Sequence, residues 1–267
     1  MIPDGPYMDM HTHILPGIDD GSQTMDETVS MFRQAYEEGI RVIMATPHFG
    51  IRNPSLTTER AMEALELTKR AAAENVPGLR LLLGSELFYS DGIADALARG
   101  EAPTLGGTSY ALVEFSTSDS MDRIYRCIRE LSWNGFRPII AHLERYRSLE
   151  GDVGAVEDLV DQGALVQINC RSFMGEPAAA SKPRRGLFSK KKQEGFFLER
   201  KADWARQLLS EGLVHFIASD CHDSGFRTPV YRSALEAMED YCSYETLKKI
   251  ARDNPISLLK NERITQE

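Results

Sequence analysis

The stretch that decides the fold is Met8-Asp9-Met10-His11-Thr12-His13, with Asp19-Asp20-Gly21 close behind it. A strand alternates its side chains between two faces, so imidazoles two residues apart share one face. Two neutral imidazoles side by side at a strand end make half of a metal site. The acidic pair that follows offers oxygen ligands to a neighbouring ion. His-x-His alone fits a pair of core or solvated histidines equally well, so the rest of the chain has to decide.

Outward from that strand the same grammar recurs. Thr24-Met25-Asp26-Glu27 reads as a capping box that opens a helix, and Gly39 stops it. Residues 41–46 form a second strand ending in Pro47-His48. A long helix over 58–75 follows, with Met62 and Leu65 at helical spacing. A strand over 79–83 ends in Gly84-Ser85-Glu86, a short helix spans 93–98, and a strand over 110–113 ends in Glu114. After a helix at 122–133, the strand 138–141 ends in His142. Helix 152–162 precedes a sixth strand at 165–168. The seventh, 214–218, ends in Ser219-Asp220-Cys221-His222, and Asn254-Pro255 starts the last of the closing helices.

Seven apolar strands alternating with helices predict a parallel sheet covered on its outer face. With no second composition type, the chain reads as one α/β domain over 1–267, a closed or nearly closed (β/α)7 barrel of TIM-barrel type. One break in composition falls at about 175–199, where Lys182, Arg184-Arg185 and Lys190-Lys191-Lys192 are interspersed with Phe188 and Phe196-Phe197. This basic excursion is expected to be loop-like and then helical. It fits either a solvated loop or an attractor for an acidic partner.

Of 267 residues, 42% are hydrophobic and 27% charged, which is ordinary for a globular protein. The net charge of −9 speaks against a nucleic-acid binder. Met1-Ile2-Pro3-Asp4 has no secretory leader pattern. No apolar run approaches the roughly 18 residues of a membrane span. The four cysteines are dispersed without Cys-x-x-Cys spacing, as expected of reduced thiols in a cytoplasmic protein.

His11, His13, His48, Glu86, Glu114, His142 and Asp220 fall at or just past strand ends. Asp20 and His222 lie in the following loops, and five of the six histidines belong to the set. In a parallel barrel the strand C-termini open on one face, where these side chains converge. So many carboxylates and imidazoles without cations would repel one another or titrate far from their usual range. Divalent ions resolve that conflict, and donors without thiolate suit manganese, iron or zinc. Asp19 reads as a cap and Asp20 as the ligand. Glu114 fits a ligand or an acceptor for a ligating histidine. His215 reads as a core-lining or surface residue. Arg145 and Arg227 are placed either as surface ion-pair partners or to reach over the rim, where a guanidinium grips phosphate with two donors.

His11-Thr12-His13, Thr46-Pro47-His48, Gly84-Ser85-Glu86, His142-Leu143-Glu144-Arg145 and Ser219-Asp220-Cys221-His222 resemble, in order, the motifs of the polymerase-and-histidinol-phosphatase (PHP) domain. Within it, the run from His11 to Gly21 and Val113-Glu114-Phe115 are similar to the bacterial metal-dependent protein-tyrosine phosphatases of capsule and exopolysaccharide systems. The resemblance runs from about residue 8 to 262. It implies a distorted seven-stranded PHP-type barrel with three divalent ions, manganese in type. His11, His13, Glu86 and Asp220 would hold the first ion. Glu86 would bridge to a second, held also by Glu114 and His142, and Asp20, His48 and His222 would hold the third. In histidinol phosphatases the positions of Asp20 and Glu114 are more often histidines. Leu143 and Cys221 depart from the residues usual in their motifs. The implied activity is hydrolysis of phosphotyrosine monoesters, with the tail of a bacterial tyrosine autokinase as natural substrate.

Three rival readings stand beside it. Cys221-x5-Arg227 matches the minimal pattern of cysteine phosphatases, although Thr228-Pro229 delays the helix that pattern needs. Another PHP-type phosphoesterase, acting on a histidinol-phosphate-like substrate or as a nuclease, would use the same metals. A metal-stabilised scaffold without activity is the third, because fold does not fix function.

Overall fold

The computed structural model describes residues 1–174 and 200–264; the basic excursion expected at 175–199 lies outside the described residues. The chain opens with β1 (Tyr7–Thr12), α1 (Met25–Glu37), β2 (Ile40–Ala45), β3 (His48–Phe49) and α2 (Thr58–Asn75). Next come β4 (Arg80–Leu83), β5 (Glu86–Phe88), α3 (Ile93–Ala98), β6 (Tyr110–Glu114), α4 (Met121–Trp133) and β7 (Arg137–Ile140). Then follow α5 (Val153–Asp161) and β8 (Leu165–Asn169), α6 over 200–210, β9 (Phe216–Ala218), α7 (Arg232–Met238), α8 (Tyr244–Lys248) and α9 (Asn254–Leu259).

All strand pairs are parallel. Hydrogen bonding follows the order β1-β2-β4 in one part and β3-β5-β6-β7-β8-β9 in the other. The sheet curls until its ends meet. Thr12 bridges Cys221, His13 N–H donates to the Cys221 carbonyl (2.9 Å), and Asp220 N–H donates to the His11 carbonyl (3.0 Å). Nine strand segments thus occupy seven positions of a distorted α/β barrel, with β2 and β3, and β4 and β5, sharing a position each.

The distortion has a local cause. Thr46-Pro47 interrupts one position and Gly84-Ser85 the next. Proline has no N–H for a ladder. At Gly84 a Cβ would stand 2.6 Å from Leu105 Cδ2, so the buried Leu105 of a short 3-10 turn takes the space a side chain would fill. After the break the chain resumes one level higher, with His48 paired to Glu86 and Phe88 to Glu114. His48 and Glu86 therefore lie within resumed strands rather than past the ends of strands.

Two apolar layers follow. Met8, Met10, Met44, Leu112, Ile139 and Phe216 are among those packed inside the curl. The helices cover the outside, α4 with Ile124, Cys127, Ile128 and Leu131 on one face. In α2 the buried face is Ala61, Leu65, Thr68 and Ala72. Met62, expected to pack with Leu65, is instead 54% exposed: one position from Ala61, it has turned about 100° off the buried stripe.

β1 carries a register shift between Asp9 and Thr12, where three residues oppose two of β2. The extra residue changes the parity of the strand. Met8 and Met10 point into the interior cluster, and His11 and His13 take the inward positions above them. The loop after β1 is held tightly: Ser22 N–H donates to the His13 carbonyl (3.0 Å) and Gly17 N–H to the Ser22 carbonyl (2.9 Å). A Cβ at Gly21 would stand 2.1 Å from the His13 carbonyl oxygen. Gly21→Ala is therefore expected to lower unfolding free energy by about 1–3 kcal/mol, as overpacking does; urea denaturation measures this, and an unchanged midpoint would refute the contact.

Candidate metal centre

Every strand position except that of β8 delivers donors to the same mouth. β1 brings His11 and His13, β3 His48, β5 Glu86, and β6 Glu114. The turns after β7 and β9 bring His142, Asp220 and His222, and the loop after β1 brings Asp20. All except Asp20 and His48 are buried. His142 (φ 35°) and Asp220 (φ 51°) adopt left-handed backbone, two of the three non-glycine residues that do so among the described residues. Such backbone costs roughly 1–2 kcal/mol per residue, and its concentration here marks a site rather than a turn.

Glu86 is the centre of the cluster. Its Oε1 lies 2.8 Å from His142 Nε2 and 3.3 Å from His11 Nε2, and its Oε2 lies 2.9 Å from His48 Nδ1 and 3.3 Å from His13 Nε2. His11 Nε2 and His13 Nε2 are 3.3 Å apart, and each is 3.6 Å from Asp220 Oδ1. Asp20 Oδ1 lies 3.3 Å from His48 Nε2 and 3.5 Å from His222 Nε2. Three sets of donors close enough to share an ion emerge: His11, His13 and Asp220; His48, Glu86 and Glu114; and His13, Asp20, His48 and His222. In the resemblance His142, not His48, accompanies Glu86 and Glu114. Here it joins that set through its 2.8 Å contact to Glu86.

These spacings test whether the residues suit divalent ions, and they do. Two ligands at about 2.0–2.2 Å from one ion stand roughly 3.0–3.5 Å from each other, the range in which most of these pairs fall. Two aimed imidazole nitrogens 3.3 Å apart gain nothing from each other, but both gain from a cation between them. Glu114 Oε2 is buried without a hydrogen-bond partner, as an unused ligand atom would be.

The surrounding residues fix which nitrogen each ring presents. His13 Nδ1–H donates to Asp19 Oδ2 (2.8 Å), and His222 Nδ1–H donates to the Asp220 carbonyl (3.0 Å). His11 Nδ1–H donates to Gln167 Oε1 (3.1 Å). In each case Nε2 is left with its lone pair toward the shared space. Gln167 Oε1 also accepts from His142 N–H (2.9 Å). Its amide donates to Asn169 Oδ1 (2.9 Å), and Asn169 donates to Asp220 Oδ2 (2.8 Å). A chain of amides thus ties one ring to the carboxylate opposite.

Charge supports the same picture. Burial alone would raise Glu86, but positive charge on the imidazoles around it, His11 first, holds it well below the usual carboxylate range, and a cation among the lone pairs would supply the same charge. Glu114 is pushed up to about 7 by burial and by the charge of Glu86. His142 is pushed down to about 4 by burial and by Arg145. One carboxylate pair thus resists double ionisation until a cation screens it. Arg145 and Arg227, each about a third exposed, both reach the rim and pair with Asp220 Oδ2 at 2.7 and 2.8 Å. They line a cavity of about 450 Å3 with His142, Glu114, Phe88 and Tyr146.

Comparison with known proteins now bears on this centre. A model of the CpsB/CapC family, capsular polysaccharide synthesis, matches residues 7–260. The chain belongs to that family. CpsB of Streptococcus agalactiae serotype III (strain NEM316), a tyrosine-protein phosphatase, is 30% identical over 257 residues, 96% of this chain and 100% of its own. YwqE of Bacillus subtilis (strain 168), also a tyrosine-protein phosphatase, is 30% identical over 263 residues, 97% of this chain and 94% of its own. A solved structure from the pair YwqE of Bacillus subtilis and CpsB of Streptococcus pneumoniae, metal-dependent tyrosine phosphatases, matches with TM-score 0.84 and 27% identity over 97% of each chain.

Several residues of this CpsB/CapC site escaped sequence reasoning. Asp19, read as a helix cap, is the buried acceptor for His13 and also receives the backbone N–H of Gly21 (3.0 Å) and of His48 (3.1 Å). Arg52 pairs with Glu114 Oε1 at 2.9 Å. Gln167 and Asn169 had a signal, two polar residues with period two in an otherwise apolar strand. His215 is buried near the start of β9, away from the mouth, and its pKa is pushed down to about 4 by burial and Lys249. Cys221 is packed in the outer core, where burial drives its thiol well above the usual range, and it does not line the cavity. Asp19→Ala is expected to weaken divalent-ion affinity about 10- to 100-fold with the fold intact. Equilibrium dialysis with Mn2+ beside circular dichroism checks it, and unaltered affinity would remove Asp19 from the design.

Proposed function

We propose that this chain is a metal-dependent protein-tyrosine phosphatase whose ligands are His11, His13, Asp20, His48, Glu86, Glu114, His142, Asp220 and His222. The single observation that carries the reading is the convergence of three donor sets on one cavity that two arginines overlook. Three ions of manganese type, with iron or zinc as alternatives, suit these oxygen and imidazole donors. When bound, such ions supply Lewis acidity that neutralises phosphate charge and lowers the pKa of water.

The protein's own groups do the rest. Asp220 divides its two oxygens: Oδ1 faces His11 and His13, while Oδ2 anchors Arg145, Arg227 and Asn169. That anchoring holds both guanidinium groups over the mouth with further N–H donors for the equatorial oxygens of a phosphoryl group. Phe88, Phe115 and Tyr146 line the adjoining wall, suited to an aromatic ring. A phenolate has a pKa near 10, so it leaves without a strong general acid.

The finer assignments belong to the same proposal. The substrate is the phosphotyrosine tail of a bacterial tyrosine kinase that governs polysaccharide assembly, and the relatives' activity and the family's role in capsule synthesis support it. Work in the cytoplasm fits four free cysteines; among the described residues no helix is long and apolar enough to cross a membrane.

Metal analysis of purified protein coupled to turnover of a phosphotyrosine peptide tests the reading. Stripping the ions with a chelator is expected to abolish turnover and Mn2+ to restore it; full activity in verified metal-free protein would overturn it. Arg145→Ala and Arg227→Ala are each expected to lower kcat about 100-fold, the scale of a lost charge-stabilising donor. Cys221→Ser is expected to stay within a few-fold of the parent rate, whereas loss of turnover there would favour the thiolate route.

A further inference from the structure

A second cavity, of about 250 Å3, adjoins the metal mouth, and Arg145, Asp220 and Arg227 line both. Its charges do not balance. Of the residues that line it, Arg145, Arg171, Lys201 and Arg227 are cationic and Asp220 and Glu144 acidic, with Asp223 near Arg171 outside the lining. Asp220 Oδ2 is already taken by Arg145 and Arg227. Glu144 is buried and its Oε1 is turned to the Ser172 hydroxyl at 2.6 Å. Arg171 donates to the Thr228 hydroxyl at 2.6 Å, and neither it nor Lys201 has a carboxylate within ion-pair distance among the described residues.

The lip of this cavity is built to stay in place. The Asp223 carboxylate accepts from the backbone N–H groups of Gly225 (2.7 Å), Phe226 and Arg227 (3.1 Å). That turn sends the Arg227 side chain inward and leaves Phe226, 84% exposed, standing at the edge. A large aromatic held in water beside cations that meet no carboxylate at ion-pair distance among the described residues offers an apolar ledge to a peptide and charge to its side chains.

Resting on the phosphatase reading, we infer that the second cavity is a specificity subsite for an anionic side chain near the phosphotyrosine in the substrate protein. Arg171 and Lys201 are its partners, and the group they take is a carboxylate or a second phosphoryl group. The shared wall makes the two cavities neighbours, so phosphotyrosine in the first places an adjacent residue of the same strand of peptide at the second.

The test measures kcat/KM on phosphotyrosine peptides carrying Glu, phosphoserine or Gln at each position within three residues of the phosphotyrosine, alongside a small aryl phosphate. The expected result is a preference of about tenfold for Glu or phosphoserine over Gln at one or two positions, carried by KM, as a charge-assisted hydrogen bond provides. The stronger of the two arms identifies the group taken. In the double variant Arg171→Gln with Lys201→Gln the ratio should fall toward one, and Arg171→Glu should turn it in favour of a Lys-flanked peptide. Equal rates for all three peptides in the parent, or a preference that survives the double variant, would overturn the subsite. Turnover of the aryl phosphate without any preference sinks the subsite alone, while no turnover of the aryl phosphate by metal-loaded protein sinks the phosphatase reading itself.

Discussion

The structure turns on one carboxylate. Glu86 is 1% exposed and meets four imidazoles with its two oxygens. A buried ion of that kind costs several kcal/mol unless opposite charge and hydrogen bonds surround it. Four neutral rings are not opposite charge. Rings protonated in sufficient number would repel one another at centroid separations of 4.5–5.7 Å. Cations placed among the donors resolve both conflicts at once, and the acceptors behind the rings then make sense. Asp19, Gln167 and the Asp220 carbonyl each hold an Nδ1 proton, so the opposite nitrogen is free before any ion arrives.

Bringing the donors together required the backbone to break its own rules, and it does so only nearby. The Thr46-Pro47 and Gly84-Ser85 interruptions lift His48 and Glu86 one level toward the mouth, and the parity change in β1 turns His11 and His13 inward. Left-handed backbone at His142 and Asp220 aims the last two donors. Each is a local cost that a plain parallel barrel would avoid. Their concentration around one pocket is what selection for a site, rather than for stability, leaves behind.

This explains why the sequence disclosed some parts and hid others. Strands and helices were legible because apolar runs and helical spacing report burial directly, and the start of α1 after Thr24 followed from its capping box. The donors were legible because imidazoles and carboxylates at the ends of apolar strands are costly without a reason. The parity change was not. Strict alternation puts His11 and His13 on the face of Asp9, yet Asp9 turns toward Ser219 N–H (3.0 Å) and the outer layer while the imidazoles face inward. Whether a strand carries an extra residue depends on its partner, here β2, which no local pattern encodes. Arg52 was hidden for a related reason: its partner Glu114 lies 62 residues away, and an arginine after a short turn looks like any surface cation.

Asp19 and Asp20 make the point most sharply, since neighbouring identical residues do opposite work. Asp19 is buried among the N–H groups of Gly21 and His48 and the His13 ring, which hold its carboxyl below the usual range despite burial. Its oxygens are committed, so it can orient a ligand but has no free lone pair aimed at the shared space. Asp20 is 65% exposed on its side chain, faces His48 and His222 with one oxygen, and lines the cavity. Of the donor sets, that of Asp20, His48 and His222 is the most open to solvent, while the set around His11 and Asp220 is closed by buried side chains. An ion in the open set would have the most room for an incoming phosphate. Directly after the two aspartates the chain packs back on β1, through the Ser22 N–H bond to the His13 carbonyl and at Gly21, where there is no room for a side chain.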